Sequence, residues 1–260
     1  GIYTVTTFDD AFAVIDDTKD KLLYMSGGYV FDKDITLAAD QVILDYYSGY
    51  EPFGTYSIDA GVTVTIEDYA EMRLPFAVPS GIQGTLVVSY KGFCEPETGS
   101  YEVKRVNEDR STTYTSLATS IANAQSGDVI DVVSDVVFTK DITIPNGVTV
   151  NLTSGHTMTA EGDLNVEGTL VVEDNASVIV DGDLNVPGTV VNDGYIAMTA
   201  GEVTVTGLLD TVRHGMSLYG YSANGVIVLT DGRTCYTSLA NAVDMTSSVA
   251  NPVMYIIGDV

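Results

Sequence analysis

With 260 residues the chain is long enough to bury a sizeable core, in one elongated body or in two modest domains. Its 36 acidic side chains against 11 basic ones leave a formal charge of −25, which argues against nucleic acid or an anionic membrane as a partner. The apolar stretches are strand-sized, so no membrane insertion is expected, and a chain that opens at Gly1 without a signal peptide reads as processed or excised from something longer.

In chain order, the first predicted element is a helix over residues 7–15. An apolar run, Leu22-Leu-Tyr-Met25, and the octapeptide VFDKDITL at Val30 to Leu37 follow. The same order then returns. A helix is predicted over residues 116–124, with Leu117, Ile121 and Ala124 at helical spacing, Ser116 as N-cap and Gly127 as stop. After it come Val129-Ile-Asp-Val132 and the octapeptide again, as VFTKDITI at Val137 to Ile144. The pattern opens a third time: YTSLA, at Tyr114 to Ala118, recurs at Tyr236 to Ala240, a helix is predicted over residues 238–245, and Val253-Met-Tyr-Ile256 replaces the apolar run. The repeats are about 107 to 122 residues long, with expected boundaries at 1–110, 111–232 and 233–260, the third being partial.

A shorter period lies inside each repeat. EGDLNVEGTLVV begins at Glu161 and DGDLNVPGTVV at Asp181, and strand starts fall at Gly147, Gly168, Gly188 and Gly207, and at Gln41, Gly61 and Gly84 in the first copy. Between them apolar residues alternate with polar ones: Val148, Val150 and Leu152; Leu164 and Val166; Ala176, Val178 and Val180; Val203 and Val205. Alternation marks strands with one buried face, and Gly, Asn, Asp and Pro punctuate them. The expected fold is mainly β, a right-handed parallel β-helix with coils of about 20 residues and short helices that cap the start of each repeat.

The run YTSLATSIANAQSGDVIDVVSDVVFTKDITIPNGVTVNL, Tyr114 to Leu152, resembles the opening of right-handed β-helix domains of the pectin-lyase-like superfamily in large archaeal and bacterial surface proteins. Those openings combine SLxxAIxxA, GDxI and ITIPxGVTV. The first repeat matches less closely, with Lys19-Asp-Lys21 in place of the Ser126-Gly-Asp128 turn. Among such proteins the chain looks most like adhesin-like, S-layer or sheath proteins of methanogenic archaea. The resemblance implies a fold and an extracellular, cell-surface location, and it carries no catalytic residue.

Several residues are candidates for chemistry. Glu161 with Asp163, and Asp181 with Asp183, stack one coil apart; they are either ordinary turn carboxylates or oxygen ligands by which Ca²⁺ links neighbouring subunits. Asn151-Leu-Thr153, with Asn151 on the outward face of its strand by the alternation, and Asn175-Ala-Ser177, with Asn175 in a turn, are glycosylation sequons, as an exported glycoprotein would permit, although Asn in a turn or an asparagine stack needs no sugar. Cys94 and Cys235 have no metal-ligand spacing and are disulfide candidates within or between chains, or free buried thiols. Tyr46, Tyr47, Tyr50 and Tyr56 are either a candidate glycan-binding patch or loop tyrosines that pack on the coil beneath. His156 and His214 stand alone, and the arginines 105, 110, 213 and 233 are expected to pair with acids, so an enzyme is not expected.

The partial third repeat points to assembly. Val253, Tyr255, Ile256 and Ile257 read as an apolar strand with no coil to stack upon, and Ile2, Tyr3 and Val5 open the first repeat with nothing before them. Such a strand caps its own solenoid, docks head to tail on the next molecule, or belongs to a longer array. The expected function is an extracellular structural protein, a homopolymer forming a surface layer, sheath or filament. An adhesin-like module that recognises glycans or partner cells is the alternative, and a carbohydrate-active enzyme the third.

Overall fold

The computed structural model describes residues 7–17, 21–45, 54–201, 203–211, 216–217, 226–229, 234–236, 243 and 254–257. The fold is mainly β, a parallel β-solenoid of about 9 turns with coils of roughly 20 residues. Two compact units divide the chain, Gly1–Thr119 and Ser120–Val260.

The first unit opens with α1 (Phe8–Asp17). Thr7 starts it as an N-cap: its Oγ1 accepts the Asp10 amide at 3.2 Å and donates to Asp10 Oδ2 at 2.7 Å. The helix buries Phe8 and Ala11, and Phe8 stacks on Tyr29 at 4.7 Å and meets Phe31 edge-on at 5.4 Å. Ten strands follow: β1 (Leu22–Met25), β2 (Tyr29–Phe31), β3 (Ile35–Leu37), β4 (Val42–Asp45), β5 (Tyr56–Ile58), β6 (Thr63–Ile66), β7 (Glu71–Arg73), β8 (Thr85–Val88), β9 (Val103–Val106) and β10 (Thr112–Thr115). They stack in parallel as β1–β4–β7, β2–β5 and β3–β6–β8.

Here the coil spacing differs from the expected one. Val42 pairs with Glu71 and Ile35 with Val64, so this coil takes 29 residues. The starts at Gln41, Gly61 and Gly84 also do not share a column: β4 belongs to the β1 sheet, β6 and β8 to the β3 sheet. Alternation tells which side of a strand is buried but not which sheet it joins. Gln41 is no glycine-like corner; it is 1% exposed, and its Oε1 accepts the Ala38 amide at 2.8 Å to close the turn.

At the boundary lies α2 (Leu117–Asn123), capped by Ser116 Oγ, which accepts the Thr119 amide at 3.2 Å. Gly127 follows it at φ +98°, the left-handed conformation expected of a stop. The strands of the second unit are β11 (Val129–Val132), β12 (Val136–Phe138), β13 (Ile142–Ile144), β14 (Thr149–Leu152), β15 (Thr157–Ala160), β16 (Leu164–Val166), β17 (Thr169–Val172), β18 (Ser177–Val180), β19 (Leu184–Val186), β20 (Thr189–Asn192), β21 (Tyr195–Met198), β22 (Val203–Val205), β23 (Leu208–Thr211), β24 (Met216–Ser217), β25 (Val226–Leu229), β26 (Thr234–Tyr236) and β27 (Met254–Ile257). Three parallel stacks result: β11–β14–β17–β20–β23, β12–β15–β18–β21–β24 and β13–β16–β19–β22.

The core consists of inward columns, one residue per coil. Ile130, Val150, Leu170, Val190 and Leu209 form one, and Val136, Met158, Val178 and Ile196 another, all 6% exposed or less. Each such side chain stabilises the fold by roughly 1.5 to 3 kcal/mol. The corners explain the glycines. A Cβ on Gly168 would lie 2.3 Å from the Pro145 and Val148 carbonyls, one on Gly188 2.1 Å from the Gly168 carbonyl, and one on Gly207 2.0 Å from that of Gly188. Each corner therefore rests directly on the backbone of the coil below.

The octapeptide has the same structure in both copies, two short strands around a Lys-Asp turn. Asp34 Oδ1 accepts the Thr63 amide at 2.7 Å and Asp141 Oδ1 accepts the Asp163 amide at 3.0 Å, in each case an N–H of the next coil. Its aspartate thus ties one coil to the following one.

Both units end their parallel stack with an antiparallel hairpin. β10 pairs with β8 and with β9 in the first, and β26 pairs with β23 and with β25 in the second. Tyr114 and Tyr236, the tyrosines that open the two YTSLA copies, lie on β10 and β26. The sequence repeat therefore marks a repeated end of stack. The helix expected over residues 238–245 lies outside the described residues, apart from Val243.

Candidate functional site

Two of the strands expected to mediate assembly lie at the ends of their sheets among the described strands. β27 contains Tyr255, Ile256 and Ile257, and it pairs antiparallel with β25, Ile256 opposite Ile227 and Tyr255 opposite Val228. The expectation of an unpaired apolar strand is thus corrected: one edge is satisfied within the chain by a hairpin strand whose direction alternation does not reveal. The other edge ends the sheet among the described strands. At the start of the first unit, β1 ends its own sheet among the described strands, with Leu22 42% and Tyr24 56% exposed. Ile2, Tyr3, Val5 and Val253 lie outside the described residues.

The carboxylates expected as metal ligands are partly committed to the backbone. Asp163 Oδ1 accepts the Asp183 amide at 2.9 Å, which continues the ladder begun by Asp141, and Asp181 bonds the Thr199 hydroxyl. Glu161 occupies the exposed corner one coil before Asp181. Among the described residues no three His, Cys, Asp or Glu side chains converge as a metal centre requires.

The two sequons differ. Asn151 lies on the outward face of β14, as expected, but its Nδ2 donates to Asp131 Oδ1 at 3.1 Å and Glu173 Oε1 at 3.0 Å, one coil to either side. The nitrogen that would carry a glycan is held between carboxylates. Asn175 sits exposed in a turn at φ +63°, a conformation Asn tolerates, and its Nδ2 meets only the neighbouring Asp174 at 3.2 Å. The expected asparagine stack occurs elsewhere, with Asn185 donating to Asn165 at 3.0 Å.

Cys94 is a free thiol, 5% exposed, and Cys235 is in the second unit on β26. Burial, and then Glu95, push the Cys94 thiol up to about 12 from an ordinary 9.0; burial, and then Tyr101, push the Tyr114 phenol up to about 12 from 10.0. Both groups are neutral in the folded chain at pH values where the unfolded chain ionises them, so their contribution is complete below about pH 9 and is lost as pH rises toward 12. Thermal melts should show a midpoint insensitive to these groups up to pH 9 and falling above it; a midpoint that rises between pH 9 and 11 would contradict their burial.

Of the tyrosine patch, Tyr56 follows the packing alternative and not the exposed one. Tyr56 is fully buried and donates to Asp45 Oδ1 at 2.6 Å, its pKa raised by burial and then by that bond. Tyr46, Tyr47 and Tyr50 lie outside the described residues. Beside Asp45 a crevice of about 630 Å³ opens between Leu44, Arg73, Phe93 and Glu95, with the Arg73 guanidinium 4.6 Å above the Phe93 ring. Arg110 lies over the Tyr90 ring at 5.2 Å, an aromatic contact where an acidic partner was expected. His156 Nδ1 is 3.9 Å from Asp135 Oδ1; Arg213, His214 and Arg233 lie outside the described residues.

Some buried polar groups carry no sequence signal. Glu102, 6% exposed, accepts the Ser80 hydroxyl at 2.9 Å and the Leu117 amide at 2.8 Å, so it holds the first turn of α2. Asn192 is fully buried in an inward column of β20, and neither polar atom of its amide has a partner. No helix among the described residues is long and apolar enough to cross a membrane. Compared with family models, curated proteins and solved structures, the chain matches none.

Proposed function

We propose that this chain is an extracellular structural protein that self-associates head to tail into a cell-surface layer, sheath or filament. One observation carries the reading: β27, built from Met-Tyr-Ile-Ile, ends its sheet among the described strands. An apolar edge strand recruits another strand unless something covers it. The formal charge of −25 suits an exposed surface whose subunits are brought together by calcium or by salt. The likeness of Tyr114 to Leu152 to pectin-lyase-like domains of archaeal and bacterial surface proteins, among them methanogen adhesin-like, S-layer and sheath proteins, supports the cell-surface location.

Sedimentation velocity on the purified chain, with and without calcium, tests this. Species that grow with concentration are expected, and a single monomeric boundary throughout would count against the proposal. A second reading, a module that binds glycans, draws on the crevice of Asp45, Arg73, Phe93 and Glu95, where carboxylates and a guanidinium adjoin an aromatic ring. Glycan binding by a strictly monomeric chain is the result that would favour it.

A further inference from the structure

The two sequons have the same chemistry in sequence, and the fold treats their polar groups in opposite ways. An N-linked sugar needs the asparagine amide nitrogen free to form a bond, and the motif adds a hydroxyl two residues on that the transferase must reach. In Asn151-Leu-Thr153 both groups are committed. Asn151 Nδ2 donates to Asp131 Oδ1 at 3.1 Å and to Glu173 Oε1 at 3.0 Å, while Asn151 Oδ1 is buried without a partner. Thr153 Oγ1 donates to the Val132 carbonyl at 2.5 Å. Asn151 also lies within β14, which has β11 and β17 paired on either side. A sugar there would break two hydrogen bonds to carboxylates and cover a continuous sheet face.

Asn175-Ala-Ser177 is the reverse. Asn175 is exposed in the turn that leads into β18, a turn closed by the Ala176 amide on the Glu173 carbonyl at 2.9 Å. Its φ of +63° is one that asparagine tolerates, and its Nδ2 donates to the adjacent Asp174 at 3.2 Å. Ala176 is fully buried, so alternation turns the residue after it outward. Ser177 is accordingly half-buried on the outer face of β18, and its hydroxyl makes no hydrogen bond among the described residues. The backbone of this segment is fixed all the same. The Gly155 amide donates to the Asn175 carbonyl at 3.2 Å, and the Ser177 amide to the His156 carbonyl at 3.0 Å. The fold thus holds the main chain and leaves the amide and the hydroxyl facing outward.

We propose that Asn175 is an N-glycosylation site of the folded chain and that Asn151, in the same sequence motif, is not. The donor is a lipid-linked oligosaccharide. A bond forms between Asn175 Nδ2 and the anomeric carbon, and the bond from that carbon to a phosphate oxygen breaks. The lipid phosphate leaves with the electron pair, and the amide proton passes to a base of the transferase. The site rests on the cell-surface reading for its encounter with such a transferase, and it adds a modification to that reading. A bulky, solvated sugar would then stand on the turn before β18.

The test presents the full folded chain to a purified oligosaccharyltransferase with its lipid-linked oligosaccharide. The transferase is chosen because it glycosylates free peptides of residues 147–156 and 171–180 equally well. Both motifs are then competent, and any difference in the chain comes from the fold. A glycan mapped by mass spectrometry to Asn175, and lost in Asn175→Gln, is the expected result. Occupancy at Asn151 should be at least roughly tenfold lower, as the loss of even one hydrogen bond to a charged group implies. Equal occupancy at the two positions, a glycan on Asn151 alone, or no glycan on a folded chain whose peptides are both accepted would overturn the assignment. Each of those results leaves self-association standing, whereas a single monomeric boundary in sedimentation would overturn self-association and leave the acceptor site in place.

Discussion

Gly188→Ala should lower the thermal midpoint of the chain by about 10 °C. A Cβ at this corner would lie 2.1 Å from the Gly168 carbonyl oxygen and 2.4 Å from that of Glu167, both backbone atoms of the preceding coil. No rotamer relieves such a contact. The coils would have to separate, which would lengthen the Thr189 amide bond to the Gly168 carbonyl, 2.8 Å as it stands. Overpacking of this kind costs about 3 kcal/mol, and roughly 2 to 4 °C of melting temperature follows from each kcal/mol in chains of this size. Gly61→Ala provides the contrast. Gly61 has φ +84° and open space around its Cβ position, so only the strain of a left-handed alanine, about 1 kcal/mol, is expected there. Equal effects at the two positions, measured by calorimetry, would show that the close stacking of corners does not limit stability.

Asn192→Val should act in the opposite direction. The inward column runs Val132, Leu152, Val172 and then Asn192, and that amide is fully buried with no hydrogen-bond partner for either polar atom. A buried amide left in this state costs about 1 to 3 kcal/mol, and valine is what the same column already holds one coil earlier. The urea midpoint should therefore rise at an unchanged slope. A lower midpoint would mean that the amide is satisfied, and that this coil is built around it.

The sequence made the second unit legible because its coils are close to uniform. Successive corners at Gly168, Gly188 and Gly207 keep a nearly constant spacing, and the alternation of Val, Leu and Ile then identifies the apolar inward residues, though not the inward Asn192. The first unit was less legible, since one coil takes 29 residues and Gln41 begins a strand in a different sheet from those after Gly61 and Gly84. The hairpins β9–β10 and β25–β26 were hidden for another reason: an antiparallel strand alternates just as a parallel one does, and its direction depends on the connection. The capping helices were legible from Thr7 and Ser116, whose hydroxyls accept the amides that the motif requires.

The candidate site divides the same way. That residues 254–257 form an apolar strand was plain from the repeat alignment, but its partner β25 was not, because Val226–Leu229 falls between the aligned segments. Asn151 was rightly placed on the outward face, yet its two carboxylate partners lie 20 and 22 residues away. Only a known coil length could have brought them together. Tyr56 was misplaced because a tyrosine in a polar stretch gives no hint that an aspartate eleven positions earlier will hold its hydroxyl inside.

Electron microscopy of the purified chain at increasing concentration tests the self-assembling solenoid most directly. Ordered polymers that lengthen with concentration are predicted. Isolated particles of one chain at every concentration, with and without calcium, would contradict it.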